Sequence, residues 1–463
     1  MTKTMRSDDA VAVTAPASKS ASHRYLIGAA LAHGVSCVRN ALESQDLERT
    51  RNILCAAGAG MRALPEKTGW EVRGMAAGPR GNSADGTPLA CDVHESGTTC
   101  RLLTAVLASG QGFFRIHGAQ RMHERPIAEL AGALTRLGAR IRFEQTPGCP
   151  PLLLEAQGLD PARCNGLVTI GMDISSQYFS GLLLAAPLAR TQLTLEPGGH
   201  KAVSWPYVGL TLQCLEDFNI RFSVQTRPHA EAQWQDTDDA KRRAIQAVQP
   251  GCLRVTVKPG VYKAGSYTVE GDWSNASYLL AAGALGHVPV RVEGLRTDSL
   301  QGDRAFLDIL KNMGARLAVE GHSVTVYPST LHGMDADMSS CPDLAPTVAA
   351  LAAFAQGTTR ISNVAHLRFK ESDRITAPAT ELRKAGVRVE EAPDGLLVHG
   401  LHPTRPRLVD GLTLVTHNDH RIAMSLALLG CGASDTNMAT RIDDPAVVRK
   451  SFPDFWKLWS RIA

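Results

Sequence analysis

Six segments rich in Ala and Leu, each opening on Ser, Asp or Asn, recur along this chain and decide most of what it can fold into. SASHRYLIGAALAHG, SGTTCRLLTAVLASG, SSQYFSGLLLAAPLA, SNASYLLAAGALG, DLAPTVAALAAFAQG and NDHRIAMSLALLG share one plan. A residue suited to cap a helix N-terminus leads about 12–15 residues of small and aliphatic side chains. Most end on Gly or another small residue. Most then enter a strand-like run: VSCVRN, FFRIHG, TQLTLEP, VPVRVEG or TTRISN. A helix that is apolar nearly all round has no face to give to water, so the pattern predicts buried helices.

A second, amphipathic helix type alternates with the first and ends in Gly or Asn before another strand. RPIAELAGALTRLGARIRF, GDRAFLDILKNMGARLAV and SDRITAPATELRKAGVRVEE show it clearly, DLERTRNILCAAGAGM and YVGLTLQCLEDFNIRF more weakly. Their polar faces read as solvent-exposed. The unit of buried helix, strand, exposed helix and strand returns about every 70–80 residues, roughly six times. A longer gap near 225–265 holds AQWQDTDDAKRRAIQAVQPG, read as a loop or partly helical insertion. Repeats that bury an Ala-rich helix must stack around one another. The expected fold class is therefore α/β, in two lobes of three repeats, helices inside and sheets around them. A Rossmann fold is disfavoured because no G-x-G-x-x-G follows a strand.

Composition agrees. At roughly 100–200 residues per domain, a chain of 463 residues holds more than one packing unit. Aromatics are only 5%, so the cores must be built from Ala, Leu and Val. The net charge of +4 is too mild for a dedicated nucleic-acid surface. Ten cysteines scattered from Cys37 to Cys431 without a C-x-x-C favour a reducing compartment and support neither disulfides nor zinc. Asp8 and Asp9 precede the first apolar run, which is too short for a signal core. No stretch approaches the roughly 18 apolar residues of a membrane span. The expectation is a cytoplasmic protein without nucleic-acid or membrane partners.

Helix N-termini present free N–H groups and partial positive charge, which suits anions. Capping explains Ser and Asn there, but not the cations beside them: Lys19 and Arg24 in SKSASHR, Arg101 in SGTTCR, Arg421 in NDHR. RMHERP (Arg121, Arg125) and RFKESDR (Arg368, Lys370, Glu371, Arg374) stand at strand ends, where a solvated salt-bridge face is the plainer alternative. With Lys450, these residues would make a site far more basic than the net charge suggests. Arg forks of this kind recognise carboxylates and phosphates. Asp343 and Glu371 are the candidates for proton transfer among them. Neither H-x-x-x-H nor H-E-x-x-H is present, so no metal site is expected, and no G-x-S-x-G marks a hydrolase.

With these residues in view, the chain resembles the 5-enolpyruvylshikimate-3-phosphate synthases, the enolpyruvyl transferases of the shikimate pathway. The likeness runs in order from about residue 14 to 455, through SKSASHR, RMHERPI, SSQ, SWPY, EGDWSNASY, PDLAPT, RFKESDR, NDHR and RKSFPDF. It implies two lobes of three βαβαββ units, residues 18–268 forming one and 1–17 with 269–463 the other. It implies a reaction without cofactor or metal, by a monomer. Shikimate 3-phosphate attacks phosphoenolpyruvate, a tetrahedral adduct forms, and phosphate leaves. It assigns shikimate 3-phosphate to Lys19, Ser20, Arg24, Ser175, Ser176, Gln177, Ser204, Asp343 and Lys370. It assigns phosphoenolpyruvate to Lys19, Gly97, Arg125, Gln177, Arg374, Arg421 and Lys450. Lys19 counts as catalytic with Asp343, which would take the proton from the attacking hydroxyl, and Glu371, which would protonate the methylene carbon.

Two positions depart from the family pattern. Glu95-Ser96-Gly97-Thr98 stands where Asn-Ala-Gly-Thr is usual, and His366 where Asn is common. An ionised Glu95 would repel phosphoenolpyruvate unless neutralised, so a pairing of Glu95 with Arg101 or Arg125 is expected. The UDP-N-acetylglucosamine enolpyruvyl transferases share the architecture. They would show Lys-Asn in place of Lys19-Ser20 and a reactive Cys in the RMHERP loop, and this chain has neither. A binding module of the RNA 3′-phosphate cyclase type would not need the convergent acids and Arg sets. A specialised enolpyruvyl transferase acting on another cyclic alcohol stands as the alternative that Glu95 keeps open.

Overall fold

The computed structural model describes residues 10–65, 68–82, 86–402, 412–431 and 441–462. The chain divides into two compact units, Lys19–Val269, and Met1–Ser18 with Glu270–Ala463. Strand β1 (Val11–Thr14) comes first and belongs with the C-terminal unit. The unit Lys19–Val269 begins with α1 (Lys19–Leu31), β2 (Val35–Arg39), α2 (Gln45–Ala56), β3 (Gly60–Ala63) and β4 (Gly69–Arg73). A second run follows: β5 (Leu89–Asp92), α3 (Gly97–Ala108), β6 (Gln111–His117), α4 (Ala128–Arg136), β7 (Arg140–Phe143) and β8 (Leu152–Gln157). The third holds β9 (Leu167–Gly171), α5 (Gln177–Ala185), β10 (Leu193–Gly198), α6 (Pro206–Asp217) and β11 (Phe222–Thr226). It closes with β12 (Gln235–Asp236), α7 (Asp239–Ala244) and β13 (Leu253–Val257), before β14 (Ser266–Thr268).

The other unit repeats the plan. It has α8 (Trp273–Leu285), β15 (Val290–Glu293), α9 (Phe306–Asn312), β16 (Arg316–Glu320) and β17 (Ser323–Tyr327). Then come β18 (Asp335–Asp337), α10 (Ala345–Ala352), β19 (Thr358–Ser362), α11 (Thr376–Lys384), β20 (Arg388–Ala392) and β21 (Gly395–His399). Helices α12 (His420–Ala427) and α13 (Phe455–Trp459) complete it. The flanks of α12 at 403–411 and 432–440, where strands of a sixth repeat would fall, lie outside the described residues.

The sheets are built alike. In β5-β6-β8-β7 the first strand runs parallel to the second, and the other pairings are antiparallel; β18-β19-β21-β20 repeats this order and these directions. A parallel pair needs a crossover, and the buried helix supplies it. Two repeats borrow their parallel strand from a distant point in the chain. Strand β14 completes β14-β2-β4-β3, and β1 completes β1-β15-β17-β16.

The reading of 225–265 as an insertion is corrected. Strand β13 lies in the middle of the five-stranded sheet β12-β11-β13-β10-β9, with Leu253, Val255 and Val257 buried. Charged residues on both sides hid a five-residue alternation. Only β12 and α7 exceed the repeat plan.

The helices expected to be buried are buried. Every residue of α8, α10 and α12 is buried, as is most of α1, α3 and α5. Each Leu or Val sequestered this way contributes about 1.5–3 kcal/mol, so small helices with few aromatics still build a core. All ten cysteines are free thiols. Among the described residues no helix is long and apolar enough to cross a membrane.

Candidate active site

In the unit Lys19–Val269 the polar residues collect at the starts of the buried helices. Lys19, the first residue of α1, bonds through Nζ to Asp46 Oδ2 at 3.1 Å. Asp46 is buried on α2, and its carbonyl accepts from Thr99 Oγ1 at 3.2 Å. Thr99 also meets Ser96 Oγ at 2.7 Å and Thr50 Oγ1 at 2.8 Å, and Thr50 meets His23 Nδ1 at 2.9 Å. Burial, with Lys19 and Arg24 nearby, pushes the His23 imidazole well below its usual range, so this chain of hydroxyls ends on a neutral ring. The chain ties α1, α2 and α3 together just where Gly97 begins α3.

Gly97 is there for space. A Cβ on it would run into the Arg125 guanidinium, which donates through Nη1 to the Glu95 carbonyl at 2.9 Å. Gln177, the first residue of α5, accepts from Arg101 Nη1 at 3.1 Å and donates to Thr98 Oγ1 at 2.9 Å. Ser175 Oγ accepts from the Gln177 N–H at 3.2 Å, and Ser176 is the residue before the helix. Ser204 is buried in a left-handed conformation (φ 57°) just ahead of α6. Ser20 serves through its carbonyl, which accepts from Arg24 Nη1 at 2.7 Å.

Arg24 looks inward. It is 2% exposed and bonds to Thr211 Oγ1 (2.8 Å), Ser180 Oγ (3.4 Å) and the Tyr207 carbonyl (2.8 Å) as well as Ser20. Burial pushes its pKa down to about 10, yet it stays charged at neutral pH. Four of its five N–H groups are used, three of them in holding α1 against α5 and α6 and one on the Ser20 carbonyl of α1 itself.

Arg125 reaches Glu95 through the backbone carbonyl, while the Arg101 guanidinium goes to Gln177, to the Pro126 carbonyl at 3.4 Å and over the Tyr178 ring. Gly97→Ala should displace the Arg125 guanidinium without unfolding the helix, because the clash is with the far end of a flexible side chain. We expect a rise of about tenfold in the Michaelis constant for an anionic ligand held by Arg125, with a melting midpoint within a few degrees of the parent.

In the unit containing Glu270–Ala463 the charges are denser. Arg374 is 3% exposed and holds three carboxylates: Asp419 (Nε–Oδ2 2.8 Å), Asp343 (Nη1–Oδ1 3.0 Å) and Glu371 (Nη2–Oε2 2.8 Å). Arg421 bonds to the second oxygen of Asp343 at 2.7 Å and to Ser274 Oγ. Asp419 is fully buried, caps α12 by accepting from the Arg421 N–H at 2.9 Å, and takes Ser372 Oγ at 3.0 Å. Lys370 ends the 3₁₀ turn Ala365–Phe369, in which His366 is buried. Lys450 ends the turn Pro445–Lys450 and is 5% exposed.

Burial works to raise the Asp343 pKa, but Arg421, Arg374 and Lys370 outweigh it and hold the carboxyl well below the usual range. Asp419 is lowered for the same reason, chiefly by Arg374. Three acids thus interleave with two guanidiniums and two lysines. An anion arriving here meets cations already oriented by fixed carboxylates, and competes with those carboxylates for them. Among the described residues no group of three or more His, Cys, Asp or Glu could hold a metal ion.

The sequence profile of the family described as EPSP synthase (3-phosphoshikimate 1-carboxyvinyltransferase) matches residues 6–236 and 244–459. The chain belongs to the EPSP synthase family. It is similar to the 3-phosphoshikimate 1-carboxyvinyltransferase of Thiobacillus denitrificans, 40% identical over 97% of this chain and 96% of that one. The protein of the same name from Syntrophobacter fumaroxidans is 38% identical over the same shares. The fold is shared with EPSP synthase of Acinetobacter baumannii (TM-score 0.69, 23% identity, 98% of this chain and 95% of that one). It is shared also with the enolpyruvyl transferase NikO of Streptomyces tendae (TM-score 0.69, 19% identity, 98% and 94%). The unmatched residues 237–243 of the EPSP synthase profile fall on α7, which the repeat plan does not need.

Sequence reading of this EPSP synthase family member missed Asp419, Asp46 and Ser274. Asp419 and Asp46 look like helix-start acids in the sequence, and capping explains them cheaply. The one available signal was Asp419 two residues before Arg421, at the start of an otherwise apolar helix. Asp46 and Ser274 reach their cations only through the tertiary fold.

Proposed function

We propose that this protein transfers the enolpyruvyl group of phosphoenolpyruvate to shikimate 3-phosphate with release of inorganic phosphate, in aromatic amino-acid biosynthesis. We further propose that it works in the cytoplasm, as a monomer and without a cofactor. The observation that carries this reading is near full-length agreement with curated relatives bearing the name 3-phosphoshikimate 1-carboxyvinyltransferase. The clustered Arg and acid residues are what such a reaction between two anions requires.

In the proposed reaction Arg125, Arg374, Arg421, Lys450 and Lys19 receive phosphoenolpyruvate, with the Gly97 backbone and Gln177 beside it. Lys19, Ser20, Arg24, Ser175, Ser176, Gln177, Ser204 and Lys370 receive shikimate 3-phosphate. Asp343 accepts the proton as the substrate hydroxyl oxygen bonds to C2 of phosphoenolpyruvate, and Glu371 gives a proton to the methylene carbon. Loss of a proton from that carbon then expels phosphate and restores the double bond. The electrostatics suit the order of events. Arg374 and Arg421 keep Asp343 ionised, and an anion that takes over these guanidiniums raises the proton affinity of Asp343 when a base is needed. The same anion draws Arg374 away from Glu371, which must carry a proton to do its part.

The test is phosphate release. Phosphoenolpyruvate with shikimate 3-phosphate should liberate one phosphate per enolpyruvyl group transferred, and either substrate alone should liberate none. No release from the pair removes the reading. Release with another cyclic alcohol but not with shikimate 3-phosphate would move the protein to a specialised branch of the same fold.

A further inference from the structure

We infer that Glu381 is a positioning residue: a buried carboxylate that clamps the strained turn at 415–418 and so sets where Asp419 and Arg421 stand. His417 (φ 52°) and Asn418 (φ 55°) are consecutive non-glycine residues in the left-handed region, immediately before Asp419. His and Asn tolerate that region better than most side chains, but two in succession persist only where the surroundings over-determine them. Glu381 supplies that constraint. It is 0% exposed on α11, and its Oε2 accepts from the Val415 N–H at 2.9 Å while Oε1 meets His417 Nε2 at 2.9 Å. Lys384, one helical turn on, provides the countercharge at 2.9 and 2.8 Å. From the other side Asp443 Oδ1 accepts from the Thr416 N–H at 2.8 Å, and the Thr416 carbonyl accepts from the Asp419 N–H at 2.9 Å.

Burying a carboxylate is costly, and an apolar side chain would pack this face of α11 for less. The charge is explained by what it accepts from. Helix α11 begins just after Glu371 and Arg374, so Glu381 joins the segment carrying one half of the charge cluster to the turn carrying the other half. Loss of the clamp lets the turn relax, and with it the N-cap Asp419 and the backbone of Arg421. The ligand consequence rests on the proposed function, in which Arg421 and Arg374 receive phosphoenolpyruvate.

The experiment compares Glu381→Ala, Glu381→Gln and His417→Ala with the parent enzyme in steady-state kinetics, thermal melting and amide hydrogen exchange. Glu381→Ala should raise the KM for phosphoenolpyruvate about tenfold, with KM for shikimate 3-phosphate within about twofold and kcat within about threefold. Glu381→Gln keeps an acceptor for the Val415 N–H and should recover most of the loss. His417→Ala, at a side chain one-third exposed, should give a several-fold rise without threatening the fold, and decides the matter if Glu381→Ala does not fold. Exchange within 412–421 should speed up in the same variants. Unchanged KM and exchange in folded variants overturn the inference. So does an equal rise in both KM values with a collapsed melting midpoint, which marks a merely structural role. A parent enzyme inactive on both substrates would sink the functional reading instead, and the exchange data would still judge the clamp.

Discussion

Asp343→Asn and Glu371→Gln should each lower turnover by about 10²–10⁴-fold, the range expected when a general base or acid is removed. The amides are the right replacements because of where these carboxylates sit. Asp343 lies between two buried guanidiniums, Arg374 at 3.0 Å and Arg421 at 2.7 Å, and Glu371 lies 2.8 Å from Arg374. Alanine at either position would leave buried cations short of a counter-ion and cost stability as well as rate. An amide keeps the shape and a carbonyl acceptor while removing the proposed proton-transfer group. Phosphate release under saturating substrates, read beside thermal melts, separates the two effects. Near-normal turnover in either amide variant would show that its proton-transfer role is misassigned.

Asp419→Ala should be the most destabilising substitution in the charge cluster. Asp419 is fully buried, bonds Arg374 at 2.8 and 3.1 Å, takes Ser372 Oγ, and caps α12. Removing one partner of such a buried pair costs about 3–5 kcal/mol, to which a lost cap adds about 1 kcal/mol. That corresponds to a fall of roughly ten degrees or more in melting midpoint. The contrast is Asp298, which pairs with Arg296 at the same 2.8 Å but is 70% exposed. Asp298→Ala should change stability by no more than about 1 kcal/mol, because water screens the pair. Equal midpoints for the two variants would mean that burial does not govern these ion pairs.

Much of the architecture was legible in the chain. An Ala- and Leu-rich helix such as SNASYLLAAGALG, with no polar face, can only be interior, and α8 is buried at every residue. Alternation with amphipathic helices and short β-branched runs then dictated small sheets around central helices. Strand β13 escaped because five residues of alternation carry little signal between charged flanks. The pairing of β14 with β2 escaped for another reason: nothing local tells a strand that its parallel partner lies hundreds of residues away, and residues 1–17 were placed with 269–463 through the family resemblance alone.

The candidate site divides the same way. By itself the sequence determined which residue types gather at helix starts, because capping and anion binding draw on the same free N–H groups, and motif order was enough to point to the family. Only the tertiary structure decided which cation meets which acid. Arg24 turns inward to hold three helices, Arg374 gathers three carboxylates from separate segments, and Glu381 reaches from α11 to a turn 34 residues on. Local preferences act within a few residues of the chain. The pairing of buried charges is set by desolvation, which takes effect only once distant segments have closed around them.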